Sequence, residues 1–100
     1  MRGQYNLTQS ELTYWSLTID NALKELACEP NAAYDLSTSN IGPCQVDDVL
    51  EVLGWERKDM DTNGWEQDTW YSYQKEDKYL TMFYCGWTGA IELYWTFRDD

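Results

Sequence analysis

Apolar residues recur every three or four positions from Leu12 to Leu26 and alternate with polar ones in the last third, so the chain changes from helix to strand along its length. Leu12, Trp15, Ile19, Leu23 and Leu26 form the stripe of a first helix, predicted over about 9–28 and ending before Pro30. Thr8-Gln9-Ser10-Glu11 fits a capping box that opens it, with Thr8 as N-cap. Trp15 belongs to the core stripe. From Asn31 to Gly42 the sequence is rich in Ser, Thr and Asn without a clear period, and mostly loop is expected. Pro43 suits the first turn of a second helix, predicted over about 44–53. Val46, Val49, Leu50 and Leu53 are its apolar face, and Gly54 is its left-handed stop.

Strands are predicted over about 55–62, 65–75, 78–85 and 90–98, separated by turns at Asn63-Gly64, Glu76-Asp77 and Gly86-Trp87-Thr88-Gly89. A two-residue loop at Glu76-Asp77 pairs Tyr73 with Leu80 and Tyr71 with Met82. The last turn pairs Tyr84 with Ile91, Met82 with Leu93 and Leu80 with Trp95. One face then holds Tyr71, Tyr73, Leu80, Met82, Tyr84, Ile91, Leu93, Trp95 and Phe97, with no charge among them. A one-residue slip would move a strand's whole set to the other face, so agreement across three strands supports the register. The expected fold is α+β: two N-terminal helices on one face of a four-stranded antiparallel meander, forming a single domain over 1–100.

The same register gives the opposite face Trp70, Ser72, Tyr79, Thr81, Phe83, Cys85, Glu92, Tyr94 and Arg98. Trp70 lies beside Phe83, and Tyr94 beside Thr81, which makes an aromatic patch fit for recognition or for a homodimer contact. Reading Asn63-Gly64 as a type I′ turn places Asp61 opposite Glu66, Asp59 opposite Asp68, and Arg57 opposite Trp70. Carboxylates directly opposed in this way are destabilising and call for solvent or a cationic partner.

Charge narrows the functional classes. Eighteen acidic residues against seven basic ones give the 100-residue chain a net charge of −11. Direct binding to nucleic acid or to an anionic membrane is disfavoured, since both need clustered Lys and Arg. A basic protein partner is favoured. No signal peptide or membrane-length apolar run is evident, so a cytoplasmic location is expected, or the host cytoplasm for a phage-encoded chain. The three cysteines, Cys28, Cys44 and Cys85, lack paired metal spacing and read as reduced thiols.

Asp59, Asp61, Asn63 and Gly64 match the opening of a calcium loop, but the twelfth position is Trp70 where a bidentate Glu belongs. No cofactor or metal is therefore assigned, with Asp59, Asp61 and Asn63 as the calcium alternative. The chain has no histidine, Gly-rich phosphate loop or nucleophile elbow. Asp68 or Glu92 would be the carboxylates for glycoside chemistry, but a domain this small offers little cleft, and the expectation is a non-enzyme. Cys85 reads as a structural thiol.

The expected function is that of a small acidic inhibitor or decoy for the basic surface of a nucleic-acid-processing enzyme. Its docking residues would be Asp59, Asp61, Glu66, Asp68, Trp70, Phe83, Glu92 and Tyr94. In general character the chain resembles phage-encoded anti-defence proteins, including anti-CRISPRs, and immunity proteins that neutralise bacterial toxins. That resemblance assigns no residue a role. The alternative class is a non-inhibitory module that uses the aromatic face for carbohydrate or self-association.

Overall fold

The computed structural model describes residues 7–26, 32–36, 41–64 and 67–95. Helix α1 spans Gln9–Leu26, strand β1 Tyr34–Asp35, helix α2 Pro43–Val52, and strands β2 to β5 Glu56–Asn63, Asp68–Lys75, Lys78–Cys85 and Ile91–Trp95. The five strands form one antiparallel sheet in the order β1-β5-β4-β3-β2. The α+β class therefore holds, with five strands rather than four. The added strand, β1, lies in the segment expected to be loop. It pairs Tyr34 with Leu93 and Asp35 with Glu92, and two residues are too few to show a period.

The capping box at the start of α1 forms as predicted. The Thr8 amide donates to Glu11 Oε1, and the Glu11 amide donates to Thr8 Oγ1, both at 3.1 Å. Two otherwise orphaned donors are thereby satisfied. Ile19, Leu23 and Leu26 are buried in the core, and Leu12 and Trp15 pack against it half-buried. The predicted extension of α1 to residue 28 lies outside the described residues.

Helix α2 begins at Pro43, with the Gly42 amide donating to Gln45 Oε1 at 2.8 Å. It ends in a Schellman pattern: the Gly54 amide donates to the Glu51 carbonyl at 3.0 Å, and the Trp55 amide to the Leu50 carbonyl at 2.9 Å. Gly54 sits at φ 95°, the left-handed conformation its position requires. Lys75 Nζ donates to the Leu53 carbonyl at 2.8 Å, placing a cation where the helix dipole is negative.

The predicted register of β3, β4 and β5 is the observed one. Tyr71, Tyr73, Leu80, Met82, Ile91 and Leu93 are buried against Ile19, Leu23, Val46, Val49 and Leu50 in one cluster. Tyr84 and Trp95 are half-buried at its margin, and Phe97 lies outside the described residues. Burial, reinforced by Cys44 and then Asp47, raises the Tyr71 phenol above the usual tyrosine value.

The β3–β4 loop carries a conformational cost. Glu76, its first residue, has a positive φ of 58° while Asp77 does not, the pattern of a type II′ turn that favours glycine at that position. Glu76→Gly is expected to raise stability by up to about 1 kcal/mol, because the strain relieved outweighs the added unfolded-state freedom. Urea unfolding would show an increased midpoint. A decreased midpoint would mean that the side chain makes an offsetting contact.

Candidate functional site

The predicted hairpin at Asn63-Gly64 needs correction. Neither residue has a positive φ; among the described residues of this turn the left-handed one is Gln67, at φ 57°. Asn63 pairs with Asp68, Asp61 with Trp70 and Asp59 with Ser72, so the last ladder pair before the turn is Asn63 with Asp68. Asp61 is thus not opposite Glu66, which lies outside the described residues, and Asp59 is not opposite Asp68. A bulge between Arg57 and Asp59 shifts the strand again, and Arg57 pairs with Tyr73 instead of Trp70. A bulge turns the residues on its two sides to opposite faces, which sends Arg57 to the helix-covered side. There its Nη1 lies 3.5 Å from Asp47 Oδ2.

The corrected register builds the outer face differently from the expectation. Asp61 neighbours Trp70, Trp70 neighbours Phe83, Phe83 neighbours Glu92, and Glu92 neighbours Asp35. One row across the whole sheet therefore reads carboxylate, indole, phenyl, carboxylate, carboxylate. The Trp70 and Phe83 ring centroids are 5.2 Å apart, inclined at 40°. Both rings are half-buried, and neither belongs to the core cluster.

The adjoining row holds Asp59, Ser72, Thr81 and Tyr94. Burial, and then the Glu92 carboxylate, push the Tyr94 phenol above its usual value of 10.0. A surface depression of about 510 Å³ lies among Lys58, Asp59, Ser72, Gln74, Tyr79 and Thr81, all on or beside this row. On the other flank, Asp68 lies between Asn63 and Cys85, and its Oδ1 is buried without a hydrogen bond among the described residues.

Seven of the predicted docking residues, Asp59, Asp61, Asp68, Trp70, Phe83, Glu92 and Tyr94, share this face; Glu66 is not described. Asp59, Asp61 and Asn63 lie along an extended strand, where alternate residues stand about 6.6 Å apart. That spacing lines their oxygens up instead of wrapping them round one ion, and no group of three metal-ligating residues occurs among the described residues. Cys44 and Cys85 are free thiols, and Cys28 is not described.

Sequence reasoning missed Asp35, whose strand has no period, and the buried link of Asp47 to Tyr73. Tyr73 Oη donates to Asp47 Oδ1 at 2.6 Å. Asp at a core-facing position of an otherwise apolar helix is the signal that could have found it.

No family model, curated protein or solved structure matches the chain, so the reading of the site rests on its geometry and charge. Among the described residues no helix is long and apolar enough to cross a membrane.

Proposed function

We propose that the chain is a small acidic protein that occupies the basic, nucleic-acid-binding surface of another protein and so blocks it. The observation that carries this reading is the row Asp61, Trp70, Phe83, Glu92 and Asp35. Its aromatic pair offers ring faces to a guanidinium or ammonium group, and the flanking carboxylates supply the counter-charges. The net charge of −11 acts at longer range, drawing a cationic surface in before contact. Asp35 stands directly opposite Glu92, which brings two carboxylates together at that end of the row.

An oligoarginine peptide carrying a labelled oligonucleotide is a suitable probe. The protein is expected to release the oligonucleotide, with amide shifts centred on Asp61, Trp70, Phe83 and Glu92. Peptide affinity should fall about tenfold or more as salt rises from about 50 to about 300 mM. Trp70→Ala should mainly speed dissociation, and the pair Asp61→Lys and Glu92→Lys should mainly slow association. Binding that ignores salt and both sets of substitutions would remove this surface from consideration. Salt-independent binding of an oligosaccharide, lost in Trp70→Ala, would favour the carbohydrate module instead.

A further inference from the structure

The helix-covered side of the domain holds a second feature, opposite in charge to the first. A cavity of about 330 Å³ is lined by Asp20, Leu23 and Lys24 of α1, Trp55, the β3–β4 hairpin lysines Lys75 and Lys78, and Trp95. That volume lies at the lower end of the range for small-molecule sites, about 300–1,000 Å³. Trp55 and Trp95 form an aromatic wall, with ring centroids 5.6 Å apart.

The distribution of cations is uneven. Lys24, Arg57, Lys58, Lys75 and Lys78 are the basic residues among those described, and three of the five line this cavity. Arg57 and Lys58 face carboxylates of their own, Asp47 and Glu56. Among the described residues that line the cavity the one carboxylate is Asp20, which Lys24 engages at 3.0 Å. Its lining therefore carries a net positive charge in a chain whose total is −11.

Two further observations point to a ligand. Lys75 and Lys78 are direct cross-strand partners, a like-charge arrangement that opposes folding unless an anion lies near. The Leu53 carbonyl takes a hydrogen bond from Lys75 but carries no full negative charge. Trp95 Nε1 is buried and has no hydrogen-bond partner among the described residues, leaving a donor unused in a side chain that lines the cavity.

We propose that this cavity binds a small aromatic anion, its ring against Trp55 and Trp95 and its carboxylate or phosphate among Lys24, Lys75 and Lys78. The site is independent of the carboxylate row on the outer face. It gives one domain two recognition surfaces of opposite sign.

A charge series on one ring tests it: phenylacetate and phenyl phosphate as anions, phenylacetamide as the neutral form, phenethylamine as the cation. The readout is the set of indole N–H signals. Saturable shifts at Trp55 and Trp95 are expected with at least one anion, with the amide about tenfold weaker and the amine without effect. Whichever anion binds more tightly identifies the preferred head group. Lys78→Glu, at an exposed position, should weaken the anion about tenfold while holding or raising thermal stability, because it converts the Lys75 pairing to opposite charge. Absence of saturable shifts with both anions, equal binding of the amide, or shifts confined to Trp70 would overturn the assignment. Unchanged anion binding in a folded Lys78→Glu variant would do the same.

Discussion

Replacing Asp47 with alanine is expected to lower the unfolding free energy by about 3 kcal/mol, read from urea denaturation. Asp47 is 5% exposed, and its carboxylate joins three elements. It projects from α2, accepts the Tyr73 hydroxyl of β3 at 2.6 Å, and faces the Arg57 guanidinium of β2 at 3.5 Å. The alanine variant leaves the Tyr73 phenol, on a residue 1% exposed, without that acceptor and removes the counter-charge from Arg57. Tyr73→Phe should cost about 1–2 kcal/mol, since it loses one hydrogen bond but leaves the carboxylate facing Arg57. The double variant should cost less than the sum of the two, as expected for groups that share one interaction. Strict additivity would show that the short contact contributes nothing of its own.

The consequence extends to the outer face. Arg57 stands at the β2 bulge, so the Asp47 link ties that bulge to the helix layer. The bulge in turn sets which β2 residues look outward, including Asp61 beside Trp70. Asp47→Ala should therefore weaken oligoarginine binding as well as stability.

Gly86→Ala is expected to destabilise the protein by about 2–4 kcal/mol, for a different reason. A Cβ at Gly86 would stand 2.5 Å from the Gln67 carbonyl oxygen and 2.6 Å from Gln67 Cβ. Both obstacles are backbone or fixed to it, so neither can swing aside. Gly86 also donates its amide to the Gln67 carbonyl at 3.2 Å, which joins the β2–β3 loop to the β4–β5 loop. Gly89→Ala is the control. Its Cβ would meet nothing within 4 Å, but its φ of 77° charges a non-glycine residue a conformational penalty of about 1 kcal/mol. Thermal unfolding should rank Gly86→Ala well below Gly89→Ala. Equal losses would place the cost in backbone freedom and remove the close approach as its cause.

The parts of this fold that were legible in the sequence are those whose two faces differ chemically. Along Tyr71, Tyr73, Leu80, Met82, Ile91 and Leu93, a slip of one residue would bring Ser72, Thr81 or Glu92 into the core, so the alternation fixes the register. Strand β2 offers no such constraint. All eight of its residues are exposed, and its polar positions satisfy either face. Local turn chemistry is then the remaining guide, and Asn63-Gly64 misleads because neither residue is left-handed while Gln67 is. The bulge beside Lys58 left no mark in the pattern, so the destination of Arg57 was misread with it.

Of the candidate site, the pairing of Trp70 with Phe83 followed from the readable strands and stands as predicted. Its flanking carboxylates depended on the two edge strands. Asp61 took a different neighbour, and Asp35 was absent from the reading altogether. The lysine cavity draws on residues from Asp20 to Trp95, a span over which no local period operates.

Strand β2 has a further significance as the long edge of the sheet. Among the described residues its outer rim of amide and carbonyl groups has no neighbouring strand, a template on which another extended chain can add. The bulge between Arg57 and Asp59 interrupts that template in part. A second safeguard is the charge of Asp59 and Asp61, which repels a second copy of the same edge. The chain as a whole adds to that repulsion, which vanishes near its isoelectric point of about 4.1. The acidity proposed to serve recognition on one face thus also helps keep the open edge from recruiting its own kind.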